Sequence, residues 1–312
     1  MATTGYQAGV ESNSVVLSYI DEATWGTLPT TPAFSRLRYM SESLGSQKAR
    51  QRAAEVDSGR QAADMVTTQF TAGGAINGAL SIGTYDDLFE SLFCSTYATN
   101  ILTNGTTFQS VYLQKQLGTG LFLRYPGSYV SGCNISAALG GFVTVSFNIA
   151  SQAETSSTTD AASTYTADNT NKVLNTVSMT GSIQLGGTSP GSVESFSLDF
   201  ANDGAAALFA IGSSTAAGML SGVFTVTGRI RVYFKDFTLY TRYTAETEGK
   251  FNFTLTDGTG TKSYLFEVLN TVLMNPQIVA GGPGQAVIAE YAIEGKKDAA
   301  TGKTARITRS LT

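Results

Sequence analysis

Two stretches of the chain, 154 residues apart, change hydrophobic period partway along in the same manner. In "AGGAINGALSIGTYDDLFESLF", Ala72 to Phe93, the residues Ile76, Leu80 and Ile82 fall on one face of an extended strand, with Asn77 and Ser81 on the other. From Tyr85 the apolar residues come at Tyr85, Leu88, Phe89 and Leu92, the spacing of one helix face. The segment "TGRIRVYFKDFTLYTRYT", Thr227 to Thr244, repeats the switch, with Gly228 matching Gly74 and Ile230 matching Ile76. A strand-then-helix unit is therefore expected twice. The second helix keeps Leu239, Tyr240 and Tyr243 but carries Arg242 where Leu88 maps.

A second offset follows the first. Val143, Val145, Phe147 and Ile149 alternate with Thr144, Ser146 and Asn148; 144 residues later Val287, Ala289, Tyr291 and Ile293 face away from Glu290 and Glu294. Gly140-Gly141 precedes the first of these strands, and Gly281, Gly282 and Gly284 precede the second. Between the matched blocks, "VYLQK" and "LFLRYP" stand roughly where "FNFTL" and "SYLFEV" stand in the second half. Each half reads strand, helix, hairpin, Gly-rich turn and alternating strand. A period this long is that of a duplicated supersecondary domain, not of a solenoid repeat. The predicted division is a first β-domain with an N-terminal arm at 1–155, a Ser/Thr-rich linker at 156–176 and a second β-domain at 177–312. The joint "SQAETSSTTDAASTYTADNTNK" is too small and polar to fold alone.

Composition supports a packed β-rich protein: 42% of residues are hydrophobic and only 14% charged, with 33 glycines against six prolines. No apolar run approaches the length of a membrane span, and "MATTGYQAGVESNS" has neither a basic nor an apolar signal region, so no membrane anchor is expected. Cys94 and Cys133 have no metal-ligand spacing and read as reduced, packed thiols. Thr84 with Asp87 three residues on predicts a variant capping box, and Asp86 and Asp87 suit a helix N-terminus. The stretch "GSQKARQRAAEVDSGRQAAD", Gly45 to Asp64, reads as a long irregular loop of the kind that touches a partner.

Chemistry is hard to find. The chain has no histidine, which removes the side chain that titrates near neutrality and most metal sites. "ATGKT" at 300–304 lacks the earlier glycine of a phosphate loop, since position 297 is Lys297. Asp86, Asp87 and Glu90 already have a capping explanation. No enzyme activity and no cofactor are expected; a hydrolase using carboxylates alone is the least supported alternative. A net charge of −4 argues against avid nucleic-acid binding, which needs a basic face to release phosphate counterions.

Sheet edges pair with other chains unless protected, and a closed ring of copies satisfies them all. The ordered set "DEATWGTLPTTPAFSRLRYMSESLG", "EVDSGRQAADM", "GAINGALSIGTYDDLFESLF" and "SGCNISAALGGFVTVSFNIAS" resembles the tail tube (major tail) proteins of long-tailed, siphovirus-type bacteriophages. The second half continues the likeness with "FTVTGRIRVYFKDFTLYTRYT" and "GQAVIAEYAIEGKKDAATGKTARITR", so that it runs from about Ser18 to Arg309. The resemblance implies a mainly β fold: a duplicated β-sandwich or barrel domain, each copy with one flanking α-helix, whose strands join across subunits into a ring-wide inner β-barrel. It also implies stacked rings that conduct the genome, assembled in the host cytoplasm and carried in the virion tail. A trimeric, pseudo-sixfold ring is the first expectation and a hexamer the second. Implied partners are the tape measure protein, the tail terminator and distal tail proteins, and double-stranded DNA passing without specific binding.

Residue expectations follow. Arg50, Arg52, Asp57 and Arg60 are candidates for contact between subunits or rings, with residues 1–14 and 295–312 as secondary contributors. Thr144, Ser146, Asn148, Glu290 and Glu294 are candidates for a polar lumen or, equally, for an outer solvated face. The row Arg229, Arg231 and Lys235 is expected to meet an acidic neighbour or the exterior, because a basic lumen would hold phosphate. The rival readings are a terminator, connector or secretion-tube ring of the same fold, and a carbohydrate-binding β-sandwich using Tyr97, Tyr112 and Tyr125.

Overall fold

The computed structural model describes residues 9–55, 59, 61, 62, 64–177, 183–258 and 261–311. The first half contains β1 (Val16–Asp21), β2 (Ala33–Leu37), β3 (Ser41–Glu42), β4 (Gly45–Arg52), β5 (Met65–Ala79), α1 (Asp86–Phe93), β6 (Ile101–Thr103), β7 (Val111–Gly118), β8 (Leu121–Ala138) and β9 (Thr144–Ser151). Two short strands follow, β10 (Thr155–Ser157) and β11 (Thr164–Thr166). The second half contains β12 (Gln184–Leu185), β13 (Val193–Asp203), β14 (Ala206–Leu208), β15 (Gly218–Leu220), β16 (Val223–Tyr233), α2 (Thr238–Thr244), β17 (Gly249–Thr256), β18 (Ser263–Val279), β19 (Ile288–Lys296) and β20 (Ala305–Ser310). The fold is mainly β.

The principal sheet runs β4–β5–β9–β8–β13–β16–β19–β18, every neighbouring pair antiparallel. Its middle seam joins the halves, with Leu198 opposite Ile135 and Phe200 opposite Cys133. The long strands β8 and β18 each serve two layers. The first part of β8 pairs with β7, which pairs with β1, and also with β10. The first part of β18 lies between β17 and β20. Among the described residues no pairing closes a sheet into a barrel.

The sequence offsets reappear as pairing partners. Ile76 is opposite Phe147 and Gly74 opposite Ile149; Ile230 is opposite Tyr291 and Gly228 opposite Ile293. The two glycines share a cause as well as a place. A Cβ on Gly74 would overlap the Ser43 carbonyl oxygen, and one on Gly228 would overlap that of Ser197. Both strands need bare backbone there to let the next strand approach.

Alternation buries one face of the principal sheet. Ile76, Phe147, Cys133, Phe200, Val226, Ile135, Leu198 and Ile293 are all buried. α1 packs beneath it and is the wedge between the halves. Phe89 meets Phe147 of the first half at 5.3 Å between ring centroids and Phe266 of the second at 5.9 Å. Phe93 meets Phe200 at 5.7 Å and Phe224 at 5.0 Å. Burial of such rings dominates core energetics, at roughly 25 cal/mol per Å² of apolar surface.

Three local expectations are corrected. The capping box does not form: Tyr85 is the N-cap, and the Thr84 hydroxyl lies 2.5 Å from that of Ser81. Asp86 and Asp87 do stand in the first turn of α1, as expected, and their carboxylates also accept from tyrosines of β18 and β1. The stretch 45–64 is not irregular throughout, because Gly45–Arg52 forms β4 against β5. Both faces of that hairpin are largely solvated, so no alternation announces it. The strand expected to reach Ile82 ends at Ala79, although Leu80 and Ile82 are fully buried. Ala305–Ser310 forms the internal strand β20, with Ala305 and Ile307 buried.

Within the Ser/Thr-rich segment, β10 adds to β8 and β11 runs parallel to β2. Asn169 and Asn171 donate to the Ile82 carbonyl, and their own carbonyls hold Arg38. Cys94 and Cys133 are free and buried. Gly74→Ala and Gly228→Ala are each expected to destabilise the protein by about 1–3 kcal/mol through strand displacement, read as a lowered denaturation midpoint with unchanged slope.

Candidate functional site

Residues directly opposed across a ladder share one side of the sheet. One row on the solvated side therefore reads Asn77, Ser146, Asn134, Asp199, Thr227 and Glu294. The next reads Ala79, Thr144, Ser136, Ser197, Arg229 and Ala292. Asn148 lies opposite Ala75, and Glu290 opposite Arg231. The five polar residues singled out in the sequence thus lie on one face, carried by strands of both halves. Asn148 and Glu294 are exposed, while Thr144, Ser146 and Glu290 are half-buried.

This face is polar and internally paired. The Ser136 and Thr144 hydroxyls are 2.7 Å apart, and Asn134 Nδ2 donates to Asp199 Oδ1 at 2.6 Å. Arg229 reaches Glu290 at 3.2 Å; Arg231 reaches Glu194 at 3.5 Å and Glu290 at 3.8 Å. Arg229 and Arg231 accordingly meet acidic neighbours in their own chain. Such exposed pairs contribute only about 0–1 kcal/mol each to stability. Their effect is on the field: Glu290 and Glu194 stand beside Arg229 and Arg231 and offset their charge on this face, while Lys235, the third member of the basic row, is exposed.

The sheet has two outer margins. One is β4, where Arg50 and Arg52 are exposed opposite Thr67 and Met65; Asp57 and Arg60 lie outside the described residues. The other is the last part of β18, whose residues 277–279 pair with β19 on one side and are exposed. Tyr112 and Tyr125, proposed for sugar stacking, are buried, and Tyr97 lies beneath the Arg309 guanidinium at 3.9 Å. That removes the three tyrosines offered for the carbohydrate reading.

Sequence spacing gave no sign of a carboxylate–tyrosine–arginine cluster at the joint of the halves. Asp86 accepts from Tyr264 of β18 and pairs with Arg309 of β20. Asp87 accepts from Tyr19 at 2.7 Å, and Glu90 accepts the Tyr97 N–H at 2.7 Å. Burial raises the Asp86 carboxyl above the usual range against the pull of Tyr264 and Arg309. Burial, with Asp87 and Glu90 nearby, pushes Asp21 up to about 7. The cluster holds α1 to both halves. Among the described residues no group of His, Cys, Asp and Glu could hold a metal ion, and no helix is long and apolar enough to cross a membrane.

A family model described as phage tail tube protein matches residues 12–295. The chain belongs to the phage tail tube protein family, and is therefore a structural component of a bacteriophage virion, in a family whose members build a tube. No curated protein matches it.

Arg309→Met is expected to cost about 3 kcal/mol by leaving Asp86 buried beside no cation, and Asp86→Asn in the same chain to restore part of the loss in urea denaturation. A carboxyl raised in the folded state binds its proton more tightly there, so its contribution falls as pH rises from about 4 to 7. Asp21→Asn should therefore raise the melting temperature more at pH 8 than at pH 5 in paired thermal scans.

Proposed function

We propose that this chain is the self-assembling tube subunit of a long-tailed, siphovirus-type phage, and that its rings conduct the genome during ejection. The carrying observation is the principal sheet itself: one face buried, one face polar with Arg229 and Arg231 paired to glutamates, and at each margin a strand that pairs on one side only among the described residues. Joining margins between copies would complete the main-chain hydrogen bonds and enclose the polar face as the channel lining. Such a lining lets DNA pass because it gives the phosphates no counterion to displace.

The shared pairing scheme of the halves, 1–155 and 177–312, supports a duplicated domain and hence a trimer presenting six similar units, with a hexamer second. Thr144, Ser146, Asn148, Glu290 and Glu294 would face the channel. The hairpin of β4 and β5, with Arg50 and Arg52, has the reach and charge to meet a neighbouring subunit or ring; Asp57 and Arg60 belong to the same proposal. The tape measure, terminator and distal tail proteins are the partners that a tube of this family implies, with assembly in the host cytoplasm.

Electron microscopy of the purified chain should show long hollow tubes, and native mass measurement of the smallest ring should give three copies. A chain that only caps tubes made by another protein would favour the terminator reading. Glu290→Lys with Glu294→Lys should leave tube formation intact and slow genome release from the assembled phage, measured as the rate of DNA exit. An unaltered rate would remove these residues from the lining.

A further inference from the structure

The seam between the halves supplies a template for a seam between copies, and this inference rests on the self-assembly proposed above. In the first half Ser41 lies opposite Asn77 and Gly45 opposite Gly73; in the second, Ser195 lies opposite Arg231 and Asp199 opposite Thr227. Every member has moved by 154 residues, so β3 and β4 occupy the place of β13. Likewise Ser136 opposite Thr144 corresponds to Val279 opposite Ile288, and Asn134 opposite Ser146 to Gln277 opposite Glu290. The last part of β18 therefore occupies the place of β8, 143 residues on. Yet β8 and β13 are joined, whereas their counterparts stand at opposite margins of the same sheet.

We propose that residues 277–279 of β18, with the bare side of α2, seat the first half of another copy of this chain, Leu44 of that copy lying opposite Ile278. The register is the internal one transferred: Leu198 opposite Ile135 becomes Leu44 opposite Ile278, and Asp199 opposite Asn134 becomes Gly45 opposite Gln277.

Three observations converge on it. First, Ile135 is fully buried by the internal seam, while Ile278 is 37% exposed. Second, the Ser43 N–H donates to Ala75 at 2.9 Å, so strand alternation turns the Leu44 N–H outward. There the chain's own Glu42 carboxylate, itself paired with Lys115, accepts it at 2.8 Å, and the Tyr125 hydroxyl donates to the Leu44 carbonyl at 3.3 Å, so side chains of the same copy hold the groups that an added strand would take over. Third, the same transfer predicts apolar contact beside the strands. The Gly83 N–H and Asp86 meet Tyr264 across the internal joint. Their counterparts, Phe237 and Tyr240, are 63% and 38% exposed, and the counterpart of Tyr264 is Leu121, 50% exposed at the tip of the β7–β8 hairpin. Pro276, which has no N–H to give, ends the seam.

The test is a disulfide. Gly45 and Gln277 form a pair whose backbones bond to other strands, and such antiparallel pairs stand about 4.5 Å apart at Cα, within disulfide reach. A Cβ at Gly45 meets nothing within 4 Å, so cysteine fits there. The two sites stand at opposite margins of the eight-stranded sheet in one chain, too far for an internal bridge. Oxidation of Gly45→Cys/Gln277→Cys should give covalent multimers closing at the ring number, at least about fivefold more than Gly45→Cys/Val279→Cys, whose pairing is diagonal. Phe237→Ser/Tyr240→Ser should remain folded by circular dichroism and raise the protein concentration needed for rings by about tenfold or more. Rings that form without the Gly45–Gln277 bridge, or that bridge better at Val279, would overturn the register and leave self-assembly standing. A chain that stays single by native mass at every concentration would overturn the proposed function, and this seat with it.

Discussion

A sheet cannot leave its last strand's amides and carbonyls without partners except where water reaches them, and this structure is organised by that demand. Between the halves the demand is met by seven opposed residue pairs of β8 and β13. Covering α1 then becomes possible, because β13 at the seam, with β16 and β18 beyond it, brings Phe200, Phe224 and Phe266 onto Phe93 and Phe89. At the outer margins side chains meet part of the same demand: Glu42 and Tyr125 hold the Leu44 N–H and carbonyl, and proline interrupts the far strand.

The two faces of the principal sheet divide the remaining work. The inner face is aromatic and aliphatic and fixes the packing of α1. The outer face spends its charges on one another, with Arg229 and Arg231 held by Glu290 and Glu194.

Much of this was legible in the sequence for a definite reason. Strands with one buried face alternate strictly, so Val143–Ile149 and Val287–Ile293 could be matched residue for residue, and they do pair with the matched strands β5 and β16. The five polar candidates fell on one face because strand parity decides it. Where both faces are wet, as in β4, the pattern had nothing to report. The Asp86 cluster was hidden for another reason: its members come from β18, β20 and α1, and only folding makes them neighbours. Aromatic spacing suggested surface tyrosines, but Tyr112 and Tyr125 serve the core, since a ring's position in the sequence does not reveal which layer covers it.

The ion pair between Asp86 and Arg309 spans 223 residues of chain. During synthesis at about 5–20 residues per second, the first half must wait on the order of ten to forty seconds before the arginine that anchors its helix has been made. Until then α1 has neither Tyr264 nor Arg309 to receive its carboxylate, and Phe89 lacks its second aromatic wall. Translation thus times maturation: a ribosome-bound fragment carries an unfinished joint, and only a molecule translated through β20 has the rigid body that a repeating polymer requires.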